Sequence, residues 1–194
     1  MNADVSKKII IITAPSGAGK TSITHYLLNN NPTLSFSVSA TTRHARGKEI
    51  AGVDYYFVTP EEFTQKIKED AFIEWEMVYE GKYYGTLKTE IERIWNDGKT
   101  PLLDIDVKGA IKVQQQFPGK CLSVFIEPPS ITELKKRLEK RGTETPETIA
   151  TRLSKAALEI SFKHHFNVTI VNEDLHKACI EAEKAVNGFL ESEA

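Results

Sequence analysis

The chain has 194 residues, 40% of them hydrophobic, which at a typical ~100–200 residues per domain means one core with small appended lobes, folding without disulfides or a structural metal. Lys plus Arg number 25 against 27 Asp plus Glu, a formal net charge of −2, and the lack of a long basic run argues against duplex nucleic acid as a partner. Cys121 and Cys179 are the only cysteines, too few for a zinc cluster or a secreted disulfide scaffold, so a reducing cytosol is the expected home.

The amino terminus MNADVSKK leads into Ile9 to Ile12, an apolar run too short for a signal-peptide core or a membrane span. No membrane partner is expected, and the protein reads as soluble and cytoplasmic. Lys8 to Thr13, dominated by β-branched residues, suits a central strand buried on both faces. It breaks into Pro15-Ser16-Gly17-Ala18-Gly19 before a helical stretch to Asn29. Leu34 to Val38 reads as a second strand, and Thr41 to Gly52 as a long exposed loop carrying Arg43 and Arg46. Tyr55 to Tyr84, rich in aromatic residues, reads as a small β-rich lobe around one short helix. That helix opens with Thr59-Pro60-Glu61-Glu62, a capping box with Pro at the first helical position. After Thr86 a helix runs to Asp97 and stops at Gly98.

The remaining pattern alternates: strand Pro101 to Ile105, helix Lys108 to Gln116, strand Cys121 to Ile126, helices Ser130 to Lys140 and Pro146 to Ser161, strand Phe166 to Val171, helix Leu175 to Leu190. Such alternation predicts an α/β fold, a parallel sheet with helices on both faces. In the second of the two adjacent helices Ile149, Leu153, Ala156, Ala157 and Ile160 share one face, with Arg152 carried outward on the polar side. The pair, joined through Arg141-Gly142-Thr143, is expected to move as a flap.

Ala14-Pro15-Ser16-Gly17-Ala18-Gly19-Lys20-Thr21 matches the phosphate-loop pattern G-x-x-x-x-G-K-[ST] except for Ala at its first position. Backbone N–H groups of such a loop, with the positive end of the following helix, cradle phosphate oxygens. Lys20 is expected to reach the β- and γ-phosphates, and the Thr21 hydroxyl to ligate Mg²⁺ directly. An ordinary glycine-containing turn is the plainer reading, but the strand before, the helix after and the GK[ST] ending agree on a nucleoside triphosphate. The acceptor of the phosphate is not identified by this loop.

Further blocks are Ser37-Val38-Ser39-Ala40-Thr41-Thr42-Arg43-His44-Ala45-Arg46, Gly52-Val53-Asp54-Tyr55-Tyr56-Phe57, Phe72-Ile73-Glu74-Trp75, Tyr83-Tyr84-Gly85-Thr86 and Leu103-Asp104-Ile105-Asp106-Val107-Lys108-Gly109. Leu134 to Leu138, Arg141 to Thr145 and Ile170 to Leu175 follow in order. Over nearly all of its length, Ile9 to about Ala185, the chain resembles guanylate kinases. The resemblance implies transfer of a phosphoryl group from MgATP to GMP. It also implies a single domain in three parts: a phosphate-loop kinase core at about 1–34, 87–130 and 162–194, a GMP-binding lobe at about 35–86 and a helical lid at about 131–161. ATP and GMP are then the partners, Mg²⁺ the metal, and a homo-oligomer is compatible with the sequence.

By this resemblance Arg43 and Arg46 clamp the acceptor's phosphate, for which planar guanidinium donors are suited, and Tyr55 and Tyr84 add hydroxyls. Two loop arginines are otherwise most often solvated. Glu74 sits in a bulky apolar strand, where a carboxylate lies on an outer face or is aimed at a ligand. The resemblance sets it against the guanine N1–H and N2–H₂ edge, with Ser39 on O6 and Thr86 helping to hold the base. Asp104 and Asp106, two apart, share one side of a regular strand near its carboxyl end. The resemblance places both between the nucleotides, contacting GMP and the water shell of Mg²⁺, without dividing these roles. Arg137 and Arg141 are four apart on one predicted helix face. Arg137 and Arg152 are implied to stabilise charge on the transferring group, and Arg141 and Asn172 to lie at the adenine. A solvated basic face is the plainer reading of the arginines. The five histidines lack metal spacing and read as non-catalytic. Two competitors remain: a catalytically inactive module of the same fold that binds phosphopeptides, and a kinase for another small phosphorylated acceptor.

Overall fold

The computed structural model describes residues 7–140 and 145–192. Its elements run β1 (Ile9–Thr13), α1 (Lys20–Asn30), β2 (Leu34–Phe36), β3 (Ala40–Thr41), β4 (Tyr56–Phe57), α2 (Pro60–Lys68), β5 (Phe72–Tyr79), β6 (Lys82–Leu87) and α3 (Lys88–Asn96). Then come β7 (Thr100–Asp104), α4 (Val107–Gln116), β8 (Cys121–Glu127), α5 (Ile131–Lys140), α6 (Pro146–Ser161), a 3-10 turn at Lys163–His165, β9 (Val168–Val171) and α7 (Leu175–Glu191). A five-stranded sheet in the order β2-β7-β1-β8-β9, parallel throughout, forms the centre. The isoleucines of β1 explain why. Ile10 and Ile12 pack among Ile23 and Leu27 of α1 and Ala178, Ala182 and Val186 of α7. Ile9 and Ile11 pack on the other face among Ile91 of α3 and Ala110 and Val113 of α4. A strand with an apolar residue at every position buries both faces, and each such side chain contributes about 1.5–3 kcal/mol relative to exposure.

A second sheet, β4-β3-β6-β5, is built around the β5–β6 hairpin. Phe63 of α2, entered through the expected Thr59 capping box, stacks on Phe72 at 4.5 Å between ring centroids and meets Tyr83 at 5.5 Å. This gives the aromatic-rich segment its own core beside Ala40. α5 and α6 form a third unit, where Leu134 and Leu138 close on Ile149 and Ala156 with Leu153 alongside. The single apolar face expected of α6 is corrected in two places: Ala157 is exposed, and Ile160 packs on the core's second cluster instead. The Arg141-Gly142-Thr143 join lies outside the described residues. Two strands are shorter than expected, β2 ending at Phe36 and β9 starting at Val168 after the 3-10 turn. Among the described residues no helix is long and apolar enough to cross a membrane.

Candidate active site

β1 and β7 are neighbours in parallel register, Ile12 beside Asp104, so their carboxyl ends open together, where ligands of open parallel sheets bind. From β1 the chain turns through Ala14 to Gly19 into α1. Gly19 caps α1 without a side-chain bond, leaving first-turn N–H groups for an anion. Gly17 and Gly19 hold φ of 94° and 104°, and a Cβ on Gly19 would lie 2.2 Å from Asn172 Nδ2, so that position admits glycine alone. Ala14 stands outside the positive-φ region, which among the described non-glycine residues only Asp70 occupies, and the departure from the loop pattern is therefore harmless. Lys20 forms an ion pair with Asp104 and meets the Ile105 carbonyl at 3.5 Å. Burial disfavours its ammonium, but the adjacent Asp104 carboxylate outweighs that and keeps the pKa raised.

Across the cleft Arg43 is nearly buried, its guanidinium 4.7 Å from the Tyr55 ring centroid. Its Nη1 and Nη2 donate to the two oxygens of Glu49 at 2.6 and 2.7 Å. The fork thus already grips a planar two-oxygen anion, the edge that a phosphate also presents. Glu49 accepts the Arg46 N–H as well, and the Arg43 bonds hold its carboxyl down at about 2. The Tyr84 hydroxyl lies against Arg43, and the Tyr55 and Tyr84 rings meet edge-on at 6.0 Å. Glu74, 5% exposed, accepts the Thr86 hydroxyl at 2.7 Å. Burial first, and Asp106 nearby, push its carboxyl up to about 7. Gly109 makes room for it, since a Cβ there would be 2.5 Å from Glu74 Oε2.

One cleft of about 620 Å³ is lined by Ala14 to Gly17, Gly19 to Thr21, Ser39, Arg43, Arg46, Tyr55, Glu74, Tyr84, Asp104, Asp106 and Arg152. Six expectations need correction or qualification. Asp104 and Asp106 do not share a strand face: β7 stops at Asp104, and Asp106 caps α4 by accepting the Gly109 N–H at 2.9 Å. Asn172, expected at the adenine, has its amide buried beneath the loop, where it donates to the Ala18 carbonyl at 2.7 Å. Thr86 stands behind Glu74, its hydroxyl donated to the carboxylate rather than aimed into the cleft. Arg137 donates to the Asn172 carbonyl at 2.9 Å and is not among the lining residues. Arg152 turns inward rather than outward, its Nη1 on the Ser16 hydroxyl. Arg141 lies outside the described residues. Sequence reasoning passed over Glu49, Lys155 and Glu159. The last two line the cleft one helical turn apart on α6, a spacing that, read beside Arg152, marks them.

Among the described residues no three or more His, Cys, Asp or Glu gather as a metal cage. The donor set still fits Mg²⁺, since the Thr21 hydroxyl and the Asp104 carboxylate are hard oxygen donors on one cleft, and this ion takes few protein ligands beside substrate phosphates.

The guanylate kinase family model matches residues 6–189. The guanylate kinase of Bacteroides thetaiotaomicron is 45% identical over 186 residues, 96% of this chain and 91% of the relative. That of Porphyromonas gingivalis is 46% identical over 184 residues, 94% of this chain and 98% of the relative. The crystal structure of guanylate kinase from Anaplasma phagocytophilum superposes with a TM-score of 0.77 at 32% identity, covering 95% of this chain and 87% of that one. With a phosphate loop, a paired-anion clamp and a buried carboxylate facing one cleft, and with likeness of this extent, the chain belongs to the guanylate kinase family.

Proposed function

We propose that the protein transfers the γ-phosphoryl group of MgATP to GMP, and to dGMP, giving ADP and GDP or dGDP. The observation carrying this reading is that Lys20 and Glu74 line one cleft, joining a triphosphate cradle to a buried carboxylate backed by the Thr86 hydroxyl. Guanine supplies two N–H donors to Glu74, whereas adenine presents a bare acceptor at N1. A site with a buried group left unpaired by the wrong ligand discriminates by roughly 10⁴-fold.

Arg43, Arg46, Tyr55 and Tyr84 hold the GMP phosphate, whose oxygen is already anionic and needs no general base. That oxygen bonds to the γ-phosphorus as the bond to the β,γ-bridging oxygen breaks. Lys20 and Arg152 stabilise the charge spread over the transferring group. The structure separates the aspartates, so we assign Asp104, paired to Lys20, to the donor side and Asp106, beside Glu74 and Gly109, to the acceptor side. Thr21 and Asp104 are the residues that would hold Mg²⁺, which would supply neutralisation of phosphate charge. Residues 35–86 act as acceptor lobe and 131–161 as lid over the core. A cytosolic setting suits Cys121 and Cys179, both unpaired and buried; burial pushes the Cys121 thiol up to about 12, removing it as a nucleophile.

The test is a coupled assay of ADP formation with MgATP and GMP, dGMP, AMP, UMP or CMP. Turnover with GMP and dGMP is expected; equal rates with AMP would remove the guanine assignment.

A further inference from the structure

Among the described residues, two buried charged side chains, Lys8 and Glu90, lie outside the cleft lining, and Glu90 is the one next to the cleft's own walls. Glu90, in the first turn of α3, is 3% exposed. Its Oε1 accepts the Val38 N–H at 3.2 Å and Arg93 Nη2 at 2.9 Å. Its Oε2 accepts the Tyr56 hydroxyl at 3.1 Å and Arg93 Nε at 3.0 Å. Burial disfavours its anion, but the bonds from Arg93, the Val38 N–H and the Tyr56 hydroxyl together outweigh that and hold the pKa below the usual carboxylate range. A carboxylate charged, buried and bonded on both oxygens fixes whatever it touches, because losing a partner exposes the full desolvation penalty.

What it touches is the passage between the two sheets. The chain leaves the parallel sheet after β2 at Phe36 and returns from β6 at Leu87 into α3. Val38 lies on the outgoing passage, and Glu90 follows the return. Tyr56 belongs to β4 of the second sheet, and its backbone N–H donates to the Ser39 carbonyl at 2.9 Å. The bonds close a circuit: Glu90 to the Val38 N–H, along the chain to the Ser39 carbonyl, across to the Tyr56 N–H, and through the Tyr56 hydroxyl back to Glu90. Ser39 lies within the circuit and Tyr55 adjoins it, and both line the cleft. Glu90 itself is absent from the lining.

We propose that Glu90 is a positioning residue for the acceptor nucleotide: it clamps both passages between the sheets and holds Ser39 and Tyr55 in place from behind, touching no ligand. The proposal rests on the reading of that half of the cleft as the GMP site. Two variants test it, Tyr56→Phe, which deletes one hydroxyl at nearly constant volume, and Glu90→Gln, which turns an amide N–H₂ toward existing donors. Initial rates are measured with GMP and ATP varied separately, beside thermal melts. The KM for GMP is expected to rise about tenfold in Glu90→Gln and about threefold in Tyr56→Phe, with kcat and the KM for ATP within about twofold. The double variant should fall short of the product of the two effects, since both act through one bond. A folded pair of variants with unchanged KM for GMP, or with both KM values raised in parallel, overturns the proposal. Should Glu90→Gln not fold, Tyr56→Phe decides alone. Wild-type protein without GMP-dependent turnover would overturn the acceptor reading, and this proposal with it.

Discussion

Glu74 carries a conflict that only a ligand resolves. With its carboxyl raised to about 7 by burial, the unliganded protein at neutral pH is divided between acid and anion, and only the anion accepts both guanine N–H groups. The KM for GMP is therefore expected to rise as pH falls below about 7, while the KM for ATP stays flat over that window. Glu74→Gln should reduce the pH dependence to that of the GMP phosphate's own ionisation near about 6 and raise the KM for GMP by about 100-fold or more. Stability follows with the opposite sign. Between the ordinary value of 4.5 and about 7 the folded protein holds a proton that the unfolded chain has released, so stability falls as pH rises through that range. Glu74→Gln should then melt at a higher temperature than wild type at pH 8 without ligand; an equal or lower melting temperature would refute the burial penalty. At this scale legibility depended on anomaly. A glutamate inside Phe72-Ile73-Glu74-Trp75 is out of place, whereas Glu49 in a polar loop and Glu90 in an amphipathic helix look solvated until folding brings Arg43 and Tyr56 to them.

At the level of elements, the phosphate loop is positioned by a residue far along the chain. Asn172, just after β9, donates to the Ala18 carbonyl at 2.7 Å and fills the space that a Gly19 side chain would need. Loop support and a base contact predict different outcomes. If Asn172 holds the loop, Asn172→Ala should weaken ATP by about tenfold and weaken inorganic triphosphate, measured as a competitive inhibitor, by the same factor; a base contact would leave triphosphate unaffected. Lys8 does similar work at the other end of β1. Its ammonium, on a side chain almost wholly buried, donates to the Phe189, Leu190 and Ser192 carbonyls that end α7, satisfying groups a helix C-terminus leaves over. Lys8→Met should lose about 1–3 kcal/mol in urea unfolding with both KM values unchanged. The elements themselves were largely legible because hydrophobic period and caps are local: the Thr59 capping box and the β1 run form as expected. Asp106 departs from strand alternation because β7 stops at Asp104 and a helix N-cap takes over.

The whole molecule brings three separately packed units onto one cleft, and α6 is where the third meets the first. Six α6 residues, Glu147, Thr148, Thr151, Arg152, Lys155 and Glu159, line the cleft together with Lys20 and Asp104, while Ile149 and Ala156 pack the helix against α5. The helix is therefore amphipathic in a functional sense, with one face holding the unit together and the other delivering charge. Sequence periodicity reports the apolar face, but not which way the polar face looks, since that depends on packing between units distant in sequence. Arg152 donates to the Ser16 hydroxyl, a contact from α6 to the phosphate loop that, under the proposed function, would keep a cation near the transferring phosphoryl group and help to exclude water. Arg152→Ala should lower kcat by about 10²–10³, the usual effect of losing one donor to developing charge. The KM for GMP should change less than about threefold, because the residues proposed to hold GMP belong to segments other than α6. ATP hydrolysis without GMP should rise relative to phosphoryl transfer, measured as ADP formed per GDP formed, as a loosened α6 admits water as competing acceptor. A fall in kcat with the ratio held at one to one would leave Arg152 as a charge stabiliser alone and remove its role in closing the cleft.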